Sequence, residues 1–132
     1  MDLDTALDGI RREIDRCYFA LCFEMESGLP LGISTAEFKD DKETIAAAFG
    51  QVLGIVTHGQ QHGRNEMIRE AMLEFKELIL ETKRSTFFIR VPEKNNRIAV
   101  AVGVPNDVKV GFARVSIDKH TPTLMASIRR VL

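Results

Sequence analysis

The sequence predicts a mixed α/β domain of the α+β type, with elements in the order α-β-β-α-β-β-β-α and helices on both faces of one sheet. Three observations lead there. Apolar residues recur at helical spacing at the start of the chain. Several short strands are apolar on both faces. The strand Arg97 to Val104 carries one bulky side and one small side, as a sheet covered closely by helices requires. The 132 residues amount to one ordinary domain. A hydrophobic fraction of 45% supports a core without metal or disulfide staples.

The elements follow in order. Leu3, Leu7, Ile10, Ile14 and Cys17 recur at steps of three and four and predict an amphipathic first helix, with Asp8 placed to pair with Arg12. Tyr18 to Met25 reads as a strand with Phe19, Leu21, Phe23 and Met25 on one face and Tyr18, Ala20 and Cys22 on the other. Ser27-Gly28 supplies a turn, and Leu29 to Ser34 returns as a short strand. Pro30 has no N–H for a ladder, so this strand is expected at an edge or to begin there.

A long helix is expected from Asp40 to His62, with Ile45, Phe49, Val52 and Val56 as its stripe and Ala46, Ala47, Gly50 and Gly54 beside it. Each interior glycine costs about 1 kcal/mol relative to alanine. The small residues therefore need a close neighbour, either the helix's own sheet or a helix of another subunit. Gly63 ends that helix, and Asn65 opens a shorter one with Met67, Ile68, Ala71 and Met72 on its apolar side. Three strands follow: Phe75 to Thr82, a turn at Lys83-Arg84, Thr86 to Val91, a loop at Glu93 to Asn96, and Arg97 to Val104. After Pro105-Asn106-Asp107 the pattern fits either period. Val108, Val110 and Phe112 alternate, whereas Val108, Phe112 and Val115 suit a helix. Because proline belongs in a helix's first turn, a break near Thr121 and a final helix from Pro122 to Val131 are expected.

Several function classes are disfavoured. A net charge of -1 gives no basic surplus for phosphates, so nucleic acid is a poor candidate partner. The acidic start Met1-Asp2-Leu3-Asp4 is unlike a signal peptide, position 2 is not glycine, and the carboxyl end is not a prenylation box. Direct membrane insertion is therefore not expected. Cys17 and Cys22 on one strand would stand roughly 16 Å apart, beyond the about 7 Å a disulfide allows. They read as buried thiols of a reducing, cytoplasmic compartment.

Motifs for catalysis are missing: no Walker A loop, no dinucleotide fingerprint, no nucleophile elbow and no Cys-x-x-Cys. No catalytic residue and no cofactor are expected. His58 and His62 have the i, i+4 spacing that can share a metal, but a third ligand is missing, and exposed or interface histidines is the favoured reading. Paired helices across a two-fold axis would gather four histidines and make them sensitive to pH or metal. Arg84 reads as a solvated turn residue in preference to an arginine finger. Met67 and Met72 read as core filling before an adaptable contact surface.

Three stretches resemble the Roadblock family, which includes dynein roadblock light chains and MglB-type regulators. They are the hairpin Glu26-Ser27-Gly28-Leu29-Pro30-Leu31-Gly32, the Ala- and Gly-rich second helix, and Glu77-Leu78-Ile79-Leu80-Glu81-Thr82 with the two strands after it. The resemblance implies that residues 1–132 form a single Roadblock-like domain. It implies a five-stranded antiparallel sheet, with the long helix on one face and the terminal helices on the other. It further implies a homodimer, or a dimer with a paralogue, through Ala47, Gly50, Gly54 and the strand Leu78, Ile79, Leu80 and Glu81. The implied partner is a small Ras-like GTPase whose nucleotide cycle is modulated without catalytic residues from this chain. A structural adaptor and a small-ligand sensor are the alternatives. Two departures from the family pattern stand out: a long link from Gly63 to Leu73, and Pro122 within what is usually one continuous last helix.

Overall fold

The computed structural model describes residues 2–36, 75–93, 95 and 97–128. The second helix expected over 40–62 and the link 63–73 lie outside the described residues, and with them Ala47, Gly50, Gly54, His58, His62, Met67 and Met72.

The chain opens with α1 (Leu3–Glu13), which starts where Asp2 caps it by accepting the Thr5 N–H at 2.8 Å. Leu3, Ala6, Leu7 and Ile10 are buried on its inner face, and Ile14 and Cys17 continue the stripe beyond the helix. Asp8 turns to Arg11 at 3.8 Å rather than to Arg12, because Arg11 and Asp8 both bond the buried Ser34 hydroxyl. The chain then reverses at Asp15-Arg16. Arg16 adopts a left-handed backbone conformation, φ 52°, and its guanidinium meets Asp107 at 2.7 Å.

β1 (Phe19–Glu24) and β2 (Pro30–Thr35) form the first hairpin. Gly28 takes φ 73° in its turn, a conformation that glycine adopts without penalty, and donates to the Glu24 carbonyl at 2.9 Å. β3 (Glu77–Glu81), β4 (Ser85–Arg90) and β5 (Ile98–Pro105) complete an antiparallel sheet of five strands in the order β2-β1-β5-β4-β3. Pro30 is the first residue of an edge strand, where its missing N–H does no harm.

The alternation read from the sequence decides the two cores. Ala20, Cys22, Ile98, Val100, Val102 and Val104 point to one face, where they pack with α1 and α2 (Val110–Ile128). Phe19, Leu21, Phe23, Ala99 and Ala101 point to the other and are buried as well. Full burial of a side chain such as Val, Leu, Ile or Phe contributes about 1.5–3 kcal/mol. Gly103 is small for a specific reason. Phe19 and Phe87 lie opposite it on both neighbouring strands and stack 6.2 Å apart, and a Cβ at position 103 would stand 2.6 Å from the Phe19 ring.

The carboxyl-terminal helix corrects the sequence reading. No break occurs near Thr121: α2 runs continuously through Pro122. Residues on both sides of the proline, Ala113 and Ile117 before it and Leu124 and Ile128 after it, bury on the same face. Tertiary packing thus outweighs the loss of one helical hydrogen bond. The Thr121 hydroxyl donates to the Ile117 carbonyl at 2.7 Å beside the interruption. On its other flank α2 meets α1. There Gly9 leaves room for the His120 ring, and Glu13 binds His120 at 2.7 Å and Lys119 at 3.3 Å.

Candidate interaction edge

β3 ends the sheet, and among the described residues it pairs with β4 only. In an antiparallel ladder, successive residues turn their N–H and C=O alternately toward and away from the neighbour. The Val91 N–H reaches the Lys76 carbonyl at 2.9 Å, and the Thr82 N–H reaches the Ser85 carbonyl at 2.8 Å. Even-numbered residues from 76 to 82 therefore engage β4. Glu77, Ile79 and Glu81 turn their backbone groups outward, along the open edge.

The side chains of this strand follow from the same register. Leu78 and Leu80 stand opposite Ile89 and Phe87, on the face away from α2. Ile79 stands opposite Phe88, on the α2 side. Ile79 is 47% and Leu80 49% exposed, an unusual amount of apolar surface for the middle of a strand. Glu81 is exposed beside them.

Glu77 ties this edge to the rest of the molecule. Its carboxylate takes a forked pair of hydrogen bonds from Arg114 of α2, at 2.5 and 2.8 Å, and a further one from Arg90 of β4. Arg90 in turn binds Asp118 through two bonds, at 2.7 and 3.0 Å. Bidentate guanidinium–carboxylate pairs of this kind fix orientation as well as adding energy. Arg114, first of all, and Arg90 hold the Glu77 carboxyl below its ordinary value. Arg114 also lies 5.9 Å from the centre of the Phe88 ring.

The far end of the strand is pinned differently. Asn106, after β5, donates its side-chain amide to the Thr82 carbonyl at 3.0 Å and accepts from the Thr86 hydroxyl at 2.8 Å. Its backbone N–H reaches the Arg84 carbonyl at 3.1 Å. The Lys83-Arg84 turn is therefore held in place, and Arg84 itself is an exposed turn residue, as read from the sequence.

Of the residues singled out from the sequence, Leu78, Ile79, Leu80 and Glu81 come together on β3. Ala47, Gly50 and Gly54 lie outside the described residues. Sequence reasoning missed Glu77, Arg90, Arg114 and Asp118. The i, i+4 spacing of Arg114 and Asp118 was a visible signal for one helix face, but their partners lie on strands far away in sequence. The thiols offer no nucleophile. Burial pushes Cys17 up to about 11 and Cys22 up to about 12, which keeps both protonated at neutral pH. A second apolar surface lies on α2, where Phe112 and Val115 are both 66% exposed.

A five-stranded antiparallel sheet with both terminal helices on one face defines an α+β domain, and among the described residues nothing pairs with the outer side of β3. The fold is that of the Roadblock/LC7 domain. The solved Roadblock/LC7 domain from Streptomyces avermitilis matches with a TM-score of 0.74 and 12% identity, covering 98% of this chain and 99% of that one. An MglB with a tetrameric arrangement matches with a TM-score of 0.73 and 14% identity, over 98% of this chain and 90% of that one. The gliding protein MglB from Thermus thermophilus matches with a TM-score of 0.71 and 15% identity, over 97% and 89%. No family model matches the sequence. No curated protein matches it either. At these identities the likeness is one of fold. No helix among the described residues is long and apolar enough to cross a membrane.

Proposed function

We propose that residues 1–132 act as one Roadblock-like domain, a dimeric cytoplasmic platform that binds a small Ras-like GTPase and modulates its nucleotide cycle without catalytic residues of its own. The observation that carries this reading is the open β3 edge, with Ile79 and Leu80 half exposed, on a Roadblock/LC7 fold. In the proposed dimer two β3 strands pair across a two-fold axis through Leu78, Ile79, Leu80 and Glu81, and Ala47, Gly50 and Gly54 supply the helix contact. Pairing of this kind satisfies the outward backbone groups of Glu77, Ile79 and Glu81 and covers apolar surface in one step. The tetrameric arrangement of one structural relative supports self-association as a use of this fold.

A second reading, a structural adaptor, is favoured by the exposed Phe112 and Val115 pair, which offers contact surface away from β3. One experiment separates the two. The tagged chain is used to capture partners from its source lysate with a non-hydrolysable GTP analogue or with GDP, and mass spectrometry identifies what is bound. A small GTPase enriched only with the GTP analogue is the expected result. The same non-GTPase proteins in both samples would replace the regulator by the adaptor. Sedimentation equilibrium of the purified chain tests self-pairing independently, and a monomer at all concentrations would overturn the homodimer and leave the dimer with a paralogue.

A further inference from the structure

The sheet has two edges, β3 and β2. If both accepted a strand, β3 of one copy would pair with β2 of the next, and head-to-tail addition would run past two chains into rings or open filaments. We infer that the first turn of α1 locks the β2 edge, so that a second copy enters only along β3 and assembly closes at two chains. This inference rests on the dimer proposed above.

The register supplies the first step. The Ala36 N–H reaches the Tyr18 carbonyl at 3.0 Å, so residues 34 and 36 face β1, while Ile33 and Thr35 turn their backbone groups outward. The outward N–H of Ile33 is already taken: Asp4 of α1 accepts it through Oδ1 at 3.2 Å. A helix lying on the face of a sheet reaches the backbone of an edge strand only if it comes very close. Gly32 allows this approach. A Cβ there would meet the Asp4 carboxylate at 2.8 Å and Leu3 at 3.0 Å. The next turns of α1 hold the helix along the same strand, where Ser34 bonds Asp8 and receives the Arg11 guanidinium at 2.7 Å.

The start of the β2 edge is blunted by the chain itself. Pro30 has no N–H, and the register against β1 shifts between Cys22 and Phe23, which bends the strand out of line. A charged acceptor seated on an edge amide also repels the carbonyl oxygen of an incoming strand. The β3 edge has none of these devices among its described residues. The two edges of one sheet therefore differ: a helix side chain holds an outward amide of β2, and among the described residues no such bond is made to β3.

The test compares the wild-type chain with Asp4→Ala, Asp4→Asn and Asp2→Ala. Asparagine keeps an acceptor oxygen in place. Asp2→Ala removes the α1 cap and weakens the helix without uncovering Ile33. Mass is read by sedimentation equilibrium, and exchange of the Ile33 amide by NMR. The expected result is a dimer for wild type, Asp4→Asn and Asp2→Ala, and species larger than a dimer for Asp4→Ala. Ile33 exchange in Asp4→Ala should be about tenfold to a hundredfold faster than in wild type, as expected for losing a hydrogen bond to a charged acceptor. Where the wild type is a dimer, a folded Asp4→Ala chain that is also a dimer would overturn the inference whatever its Ile33 exchange, as would larger species from Asp2→Ala. A monomeric wild type refutes the dimer alone. The lock is then decided by Ile33, slow in wild type and fast in Asp4→Ala if it holds. If Asp4→Ala does not fold, rapid Ile33 exchange in the wild type overturns the lock and slow exchange supports it.

Discussion

Ile79→Lys places a charge in the middle of the open strand. Ile79 is 47% exposed, so about half of its side chain remains to be buried when a second strand arrives. Full burial of an isoleucine side chain contributes about 1.5–3 kcal/mol, which leaves about 0.7–1.5 kcal/mol for this half. A two-fold dimer contains the residue twice, so the loss is about 1.5–3 kcal/mol per dimer. At about 1.4 kcal/mol per tenfold, dimerisation weakens by about 10- to 150-fold. Desolvation of the new ammonium groups adds to that figure. The fold itself should lose less than about 1 kcal/mol, because the lysine stem can lie along the surface that Ile79 covers. Sedimentation equilibrium gives the dissociation constant, and far-UV circular dichroism confirms the fold. A folded Ile79→Lys chain that dimerises as tightly as wild type would refute the reasoning and remove β3 from the interface.

Further expectations follow from the packing and the charges. Gly103→Ala should destabilise by about 1–3 kcal/mol, because the new methyl group collides with the buried Phe19 ring, and Phe19→Leu in the same chain should recover part of the loss in urea denaturation. Pro122→Ala should stabilise by about 1–3 kcal/mol, since it restores a helical N–H in the interior of α2; an unchanged denaturation midpoint would argue for a real break there. The Glu77 carboxyl is held below its ordinary value of 4.5, so its stabilisation is complete above that value and is lost as the pH falls through the lowered folded value. Urea midpoints measured between about pH 7 and pH 3 should therefore fall less steeply for Glu77→Gln than for wild type.

Much of the fold was legible because strands with two apolar faces betray themselves. Phe19, Leu21 and Phe23 against Ala20 and Cys22 placed β1 in the interior, and the bulky and small sides of β5 pointed to a sheet closely covered by helices. Pro30 marked an edge. The carboxyl-terminal helix was misjudged for two reasons. Its outer face carries Phe112, Val115 and Ala126, so the apolar pattern has no clear period, and Pro122 suggested a boundary that packing overrides. Arg16 in a left-handed conformation gave no signal, because nothing local distinguishes it from an ordinary turn residue. The candidate edge was legible as the stretch from Leu78 to Glu81, through resemblance and strand pattern. Its anchors were not. Glu77 meets Arg114 only after the chain has travelled through two more strands, and Asp4 meets Ile33 only because Gly32 leaves room. Charges written side by side in a sequence suggest helical neighbours, as with Asp8 and Arg12, whereas the fold chose Arg11 and a serine.

The double attachment of β3 has a mechanical meaning. Glu77 is fastened to α2 and to β4 at one end, and Asn106 fastens the Thr82 end to the loop that leads into α2. Both ends of β3 are therefore tied to the helix or to the loop in front of it. Displacing the strand would have to stretch these bonds or carry α2 along, and with it the surface of Phe112 and Val115.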